Sequence, residues 1–449
     1  MRTPVTLTTC LLLPILARAI ELNLDDPQSI RDAAKTAAEK MVGWYSGKAF
    51  TIPGLLPGPY YWWEAGAMFG SLIDYWYYTG DESYNAIVTE ALLFQVGPDE
   101  NFMPTNQSKS LGNDDQAFWG IAAMSAAEFN FPNPPSDQPQ WLALAQAVFN
   151  SQAPRWNTDS CGGGLKWQIF TFNNGYNYKN AISNGCFLNL AARLGMYTGN
   201  STFTEWADRT WDWSSSIGMI SPTYSIYDGS DDALNCRELN HIQWSYNAGV
   251  YLNAAATMWN ITADGPDAGK WRERTQGMLD GIQRTFFNGT IMIEAACEMS
   301  WNCNIDQQTF KAYLSRWMAA SVKVAPWTHD IVMPLLASSA MAAARSCTGG
   351  SDSVTCGTTW TGDGWDGGFG VGQQMNALEV IQSNLIDQVS GPVGNGTGAT
   401  SVGDPNAGTR LSDAPEAPDG ITGADRAGAG IVTALVLLGM IGGSVWVVQ

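Results

Sequence analysis

Two neighbouring acids, Asp114 and Asp115, stand directly before the apolar run Gln116-Ala117-Phe118-Trp119-Gly120. An acid at the head of a buried helix can cap it, because the first turn leaves N–H groups unpaired and carries a partial positive charge. Capping accounts for one carboxylate and not for the second. Consecutive Cα atoms lie about 3.8 Å apart, so diverging side chains can hold two carboxyls near the ~5 Å separation of retaining glycosidases. Like charges at that range also raise one pKa, which keeps one acid protonated beside an ionised neighbour. Glycoside cleavage needs such a pair, one acid to protonate the leaving oxygen and one carboxylate to attack carbon or activate water. The dipeptide alone is weak evidence, since it occurs three times. Asp25-Asp26 precedes Pro27 and reads as a helix cap, and Asp231-Asp232 lies in a Gly/Ser loop and reads as solvated. Histidine chemistry has little to work with: His241 and His329 are the only histidines, and neither sits in a G-x-S-x-G type motif. No H-E-x-x-H, phosphate loop or dinucleotide fingerprint is present. No cofactor or metal is expected, and nothing in the pattern supports calcium at Asp231-Asp232.

Aromatic, amide and acid residues recur where apolar helical segments begin. These loops read Tyr60-Tyr61-Trp62-Trp63-Glu64, Asn113-Asp114-Asp115, Tyr176-Asn177-Tyr178-Lys179-Asn180, His241-Ile242-Gln243-Trp244, and Trp360 through Trp365-Asp366. The loops at the other ends are plain Thr-Gly-Asn turns. The asymmetry predicts an open cleft on one end of the fold, with rings to stack on sugar faces and amides to bind hydroxyls. Trp63, Asn113, Tyr178, Lys179, Asn180, Trp244, Tyr246, Asn247 and Trp365 are its candidate binding residues. Lys179-Asn180 and Tyr246-Asn247 have an equally good structural reading, as caps or bridges of their own loops. Asp228, in Tyr227-Asp228-Gly229, reads by itself as a turn residue.

The elements that must position these groups are helices. Tyr77-Tyr78-Thr79-Gly80-Asp81 and Met196-Tyr197-Thr198-Gly199-Asn200 are similar units in which Gly stops one helix and the next residue can cap another. Extending the unit gives about six hairpins. Their first helices fall near 65–78, 116–129, 184–197, 246–259, 309–322 and 370–389. Their partners fall near 81–95, 140–152, 203–215, 270–287 and 333–344, with 27–44 closing the ring. The first set is apolar all round, as buried helices are, and the second carries the charges. Inner and outer helices alternating six times predict an all-α (α/α)6 barrel, with an open solenoid of hairpins as the alternative.

Several of these segments together resemble one family. Asn113-Asp114-Asp115-Gln116-Ala117-Phe118-Trp119, Cys161-Gly162-Gly163-Gly164-Leu165-Lys166-Trp167-Gln168, Tyr178-Lys179-Asn180-Ala181-Ile182-Ser183-Asn184 and Trp244-Ser245-Tyr246-Asn247-Ala248-Gly249 are similar to motifs of glycoside hydrolase family 76, the mannan endo-1,6-α-mannosidases. The similarity runs in order from about 27 to 388, and with leader and anchor signals at its ends the chain resembles the fungal DFG/DCW branch. It implies an (α/α)6 barrel, Asp114 as nucleophile, Asp115 as general acid/base, and Asp228 as a hydrogen-bonding partner of the sugar. It implies α-1,6-mannan or the mannose core of a glycosylphosphatidylinositol (GPI) anchor as donor. Cell-wall glucan is the possible acceptor in a transglycosylation, and hydrolysis uses the same residues. A non-catalytic wall adhesin with the same aromatic loops is the competing reading, and an (α/α)6 enzyme of uronic-acid chains is a third.

The ends and composition set the address. Met1-Arg2, an apolar run from Leu7 and Ala17-Arg18-Ala19 read as a signal peptide, 1–19. The uncharged run from Ile431 to Gln449 is long enough to span a bilayer, but small residues at 420–424 and a short polar spacer precede it. That order predicts a GPI signal, with attachment near 420–424 and residues 426–449 removed. The expected product is a glycoprotein at the outer plasma membrane or wall, a monomer held to the membrane by lipid alone. The catalytic domain is expected over 20–389 and a disordered Gly/Pro/Ser/Thr-rich stalk over 390–425. A net charge of −19 excludes nucleic acid as a partner, since phosphates would be repelled. Sequons at Asn106, Asn200, Asn260, Asn288 and Asn395 fit this address. In an oxidising compartment Cys297–Cys303 and Cys347–Cys356 are expected as local disulfides. Cys161, Cys186 and Cys236 leave one bridge and one free thiol, in an undecided pairing.

Overall fold

The computed structural model describes residues 20–46, 52–409 and Thr433. Twelve helices follow one another among them. The first six are α1 (Pro27–Ser46), α2 (Trp62–Thr79), α3 (Asn85–Phe94), α4 (Asn113–Glu128), α5 (Trp141–Gln152) and α6 (Ala181–Thr198). The rest are α7 (Ser201–Ser216), α8 (Ser245–Thr262), α9 (Ala268–Phe286), α10 (Phe310–Val324), α11 (His329–Ser346) and α12 (Val371–Gln382). The even-numbered helices touch one another in sequence, and α12 returns to α2, so the inner ring is closed. Each odd-numbered helix packs outside that ring, with α1 against α12. This is the (α/α)6 barrel the hairpins predict, and ring closure removes the solenoid alternative.

The inner helices form a ring because their small and apolar residues let neighbours approach on every side. In α4 every residue except Asp115 is buried. At Gly120 an added Cβ would meet Val148 of α5 at 2.9 Å, which shows how closely those two helices pack. Gly80 and Gly199 end α2 and α6 in the left-handed conformation at φ 74° and 69°, as the repeated Thr-Gly turn predicts. Helix α3 begins at Asn85, later than the sequence suggests, because Asp81 accepts bonds from Ser83 N–H and Tyr75 O–H and closes a turn first. Buried ion pairs tie the C-terminal halves of the inner ring: Arg316 joins Asp74 to Glu379, and Arg193 holds Glu128 at 2.6 Å.

The stretch after 389 corrects the expectation of a disordered stalk. Residues 390–409 form a strap across the C-terminal ends of α2, α4 and α6 and along the outside of α5. Val393 N–H bonds Glu128 O, Asn395 N–H bonds Tyr197 O, and the Tyr77 hydroxyl donates to Ser390 O. Further along, Asn150 donates to the carbonyls of Pro405 and Ala407. The strap is held by hydrogen bonds to its backbone, so its low apolar content did not reveal it. The leader, the expected attachment region near 420–424 and the tail apart from Thr433 lie outside the described residues. Among the described residues no helix is long and apolar enough to cross a membrane.

Cys297–Cys303 and Cys347–Cys356 form as expected, Cys161 pairs with Cys236, and Cys186 is a buried thiol. Five short strands, not anticipated, complete the fold among the described residues. β1 (Tyr178–Asn180), β2 (Gly229–Asp231) and β3 (Leu239–Asn240) form an antiparallel sheet at the mouth of the barrel, and β4 (Phe287–Asn288) pairs with β5 (Ile291–Met292).

Candidate active site

The N-terminal ends of the inner helices surround a cleft of about 730 Å³. Asp114 and Asp115 both line it, in the first turn of α4, where the helix dipole favours negative charge. Gly112 is the N-cap, in extended conformation, and its N–H donates to Asp115 Oδ2 at 2.7 Å. Asp115 thus takes the Gly112 N–H with one oxygen, while Asp114 draws on N–H groups of the first turn itself. Gly112 also makes room: its hydrogen side faces Asp114 Oδ1, where a Cβ would collide.

The surroundings separate the two acids. Burial raises the pKa of Asp114, against which its own and Asp115's backbone N–H, the Ser183 hydroxyl and the Trp167 indole favour the ionised form. Its Oδ1 makes no full hydrogen bond among the described residues. Burial raises Asp115 as well, and the charges of Asp114 and, more weakly, Asp306 push it further. Of the two, Asp115 bears the additional upward push of its neighbour's charge, while Asp114 has more hydrogen-bond donors holding it toward the charged form.

Asp228 faces them across the cleft. It follows from β1–β2 pairing, which sets Asn180 opposite Gly229 and brings Ala181 N–H to Asp228 O at 2.7 Å. The Tyr178 hydroxyl donates to Asp228 Oδ2 at 2.6 Å. Burial raises this carboxyl, while Tyr178, Trp244 and Asn240 hold it toward the charged form. Asn180 caps α6 by accepting from Ser183 N–H at 3.2 Å and also lines the cleft. Aromatic rings make the walls. Trp63 packs on Phe118 at 4.8 Å between ring centres, and Tyr246 stacks on Phe310 at 3.7 Å, with Trp244 edge-on.

Asp306 was missed by sequence reading. It stands between the Cys297–Cys303 disulfide and α10 and accepts from Trp63 Nε1 at 3.0 Å, a partner 243 residues away. No local pattern marks it. Burial raises its pKa, and the Trp63 bond opposes the rise. Trp167, Phe118 and Phe310 also line the cleft. Each lies within or beside a segment already singled out, so proximity to those motifs was the available signal.

Four candidate binding residues are placed elsewhere. Asn113 is a buried pin: its side chain donates to Lys166 O and accepts from Arg155, and its carbonyl accepts from Gln152. Lys179 alternates away from Tyr178 and Asn180 along β1, and so points behind the sheet. Its ammonium bonds Asn157 O and Oδ1, Ser160 O and Gly163 O at 2.6–3.1 Å and is fully buried. Asn247 is buried within α8, one residue beyond Tyr246 and on another face. Trp365 lies over Gly349 and donates to Gly368 O, closing its own glycine-rich loop. Asp232, expected to be solvated, pairs with Lys166 instead.

The Lys179 cluster carries a stability prediction. Lys179→Met leaves four oxygens without their donor, and a buried charged hydrogen-bond centre of this kind contributes on the order of 3 kcal/mol. Urea unfolding is expected to show that loss, and an unchanged midpoint would remove Lys179 as the pin of the 157–163 loop.

A closed ring of paired helices, with carboxylates and aromatic rings gathered at one mouth, defines a helical-barrel glycoside hydrolase. Residues 29–396 match the model of glycosyl hydrolase family 76, and the chain belongs to that family. It is 45% identical to the mannan endo-1,6-alpha-mannosidase DCW1 of Eremothecium gossypii, over 99% of both chains. It is 44% identical to DCW1 of Saccharomyces cerevisiae, over 96% of this chain and 95% of the other. Among solved structures, Dfg5 of Chaetomium thermophilum in complex with glucosamine superposes with a TM-score of 0.82 at 45% identity, covering 86% of this chain and 97% of that one. The α-1,6-mannanase of a Salegentibacter species shares the fold at a TM-score of 0.63 and 19% identity, covering 80% and 99%.

Proposed function

We propose that the protein is a retaining glycosidase or transglycosylase acting on α-1,6-linked mannose at the cell surface. One observation carries the reading: two sequence-adjacent acids open together on one aromatic cleft. Asp114 attacks the anomeric carbon, and a carbon–oxygen bond to its carboxylate forms as the glycosidic bond breaks. Asp115 gives its proton to the departing oxygen. The resulting Asp115 carboxylate then takes a proton from the acceptor, whose oxygen displaces Asp114 and completes two inversions. Water as acceptor makes the reaction hydrolysis, and a sugar hydroxyl makes it transfer.

Trp63, Trp167 and Trp244 offer ring faces to the sugar, and Asp228, held by Tyr178, accepts from its hydroxyls. The activity named for the relatives supports α-1,6-mannose as the substrate. On this reading the donor is α-1,6-mannan or the mannose core of a GPI anchor, and the acceptor in transfer is wall glucan. The leader and anchor signals in the sequence support an anchored, cell-surface location. Four acidic residues line the cleft, which disfavours uronic-acid chains.

The test is the stereochemistry of the first product. Proton NMR of α-1,6-mannotetraose cleavage is expected to show the α-anomer before mutarotation. Initial β-anomer would overturn the double displacement. Tight binding with no turnover of any α-1,6-mannoside would favour the glycan-receptor reading instead.

A further inference from the structure

Beside the catalytic cleft lies a second hollow of about 670 Å³. The two share a wall, the segment from Cys303 to Gln308. Asn304, Asp306 and Gln307 face the cleft, whereas Cys303 and Gln308 line the hollow. The wall is thus a single thickness of chain, tied at its base by the Cys297–Cys303 bridge.

The hollow has three features that packing alone does not explain. Two large rings line it in the open: Trp301 is 70% exposed and Phe369 63% exposed. Phe369 is stacked against Trp44 at 6.1 Å between ring centres, while most of its surface meets water. Trp301 sits at φ +56°, a left-handed backbone that bulky residues rarely adopt, and gains no burial there. Finally, Glu298 Oε1 and Thr359 Oγ1 are buried without hydrogen-bond partners among the described residues, and both residues line the hollow.

The chemistry of the walls selects the ligand. The charges are largely neutralised: Asp366 accepts from the N–H groups of Thr358, Thr359 and Gly368, and Glu298 pairs through Oε2 with Lys311 at 3.0 Å, which leaves only its Oε1 open. The other polar groups of the walls are amides and hydroxyls, as in Gln373, which donates to Gln308 and Thr358. Exposed ring faces with uncharged hydrogen-bonding groups suit a neutral pyranose chain, whose apolar faces stack while its hydroxyls bond.

We infer that this hollow is a second carbohydrate site, binding a neutral polysaccharide segment alongside the catalytic cleft. The inference rests on the proposed reaction in the cleft. The same chemistry fits two sources, an acceptor glucan or a continuation of the mannan donor.

The test uses the full chain carrying Asp114→Asn, titrated calorimetrically with laminarihexaose and with α-1,6-mannohexaose. Trp301→Ala with Phe369→Ala is expected to weaken one of them about tenfold or more, as loss of central aromatic contacts does. The gluco-oligosaccharide responding assigns the site to the acceptor, and the manno-oligosaccharide responding assigns it to the donor. With both aspartates intact, the same double variant is expected still to cleave α-1,6-mannotetraose, which shows that the fold and the cleft survive the substitutions. Unchanged affinity for both hexaoses overturns the site, as does failure to bind either by a protein that still cleaves mannotetraose. Ring-dependent hexaose binding without any mannotetraose cleavage would sustain the site and remove the proposed reaction.

Discussion

Asp114→Asn is expected to lower turnover of α-1,6-mannotetraose by about four orders of magnitude, the scale seen when a covalent nucleophile is removed. The amide can neither attack the anomeric carbon nor carry the glycosyl group. Asp115→Asn should behave differently. It leaves the nucleophile in place and removes the proton donor, at a cost of about 10²–10⁴-fold. Aryl mannosides, whose leaving groups depart without a proton, should recover much of the first step in that variant.

The pH profile follows from the same two groups. Asp114 must be ionised, so rate falls as pH drops below its pKa. Asp115 must be protonated, so rate falls as pH rises past its own, which burial and the Asp114 charge place higher. The bell is therefore expected to be displaced upward from the ordinary carboxylate range, and Asp115→Asn should remove its alkaline limb. Full activity of Asp114→Asn, or a profile in which Asp115→Asn keeps both limbs, would dismiss these roles.

Gly112→Ala is expected to have the second largest effect, although it touches no substrate. The backbone there, at φ −93° and ψ 163°, suits alanine as well as glycine. The obstacle is the Cβ, which would occupy the space of Asp114 Oδ1 and stand 3.2 Å from both Asp115 Oδ2 and Trp167 O. A carboxylate at the end of a side chain yields more readily than backbone, so Asp114 rotates and the fold survives. The helix cap itself loses about 1 kcal/mol at most. Displacing a reacting atom by about 1 Å costs on the order of 10²-fold in rate. Activity and thermal melting measured together check this: a large loss in kcat with a small change in Tm is expected. Parent-like kcat would mean that Asp114 does not act from its observed position.

The helices were legible because their signal is local and repeated. Inner segments such as α4 are apolar on all faces, outer ones such as α9 carry their charge on one side, and Thr-Gly-Asp or Thr-Gly-Asn marks a hairpin turn. Asp114-Asp115 stood out because two acids cannot both be spent on one helix cap. Tyr178, Asn180, Trp244 and Tyr246 were found because each sits where an inner helix begins. Their neighbours Asn113, Lys179 and Asn247 were drawn in by the same rule and do not line the cleft. On a strand alternate side chains face opposite ways, and on a helix one step turns about 100°, so adjacency in sequence does not mean a shared surface.

By itself the sequence determined the number and order of the helices, their inner and outer roles, the two local disulfides and the acid pair at the mouth of the barrel. Each of these depends on residues within one or two turns of one another. Only the tertiary structure decided that Asp306 holds Trp63, that Tyr178 holds Asp228, that Cys161 joins Cys236, and that 390–409 straps the barrel. Those contacts join residues 50 to more than 250 positions apart through single hydrogen bonds or one sulfur bridge. Such links leave no periodicity in the chain, and they exist only once ring closure has brought their partners together.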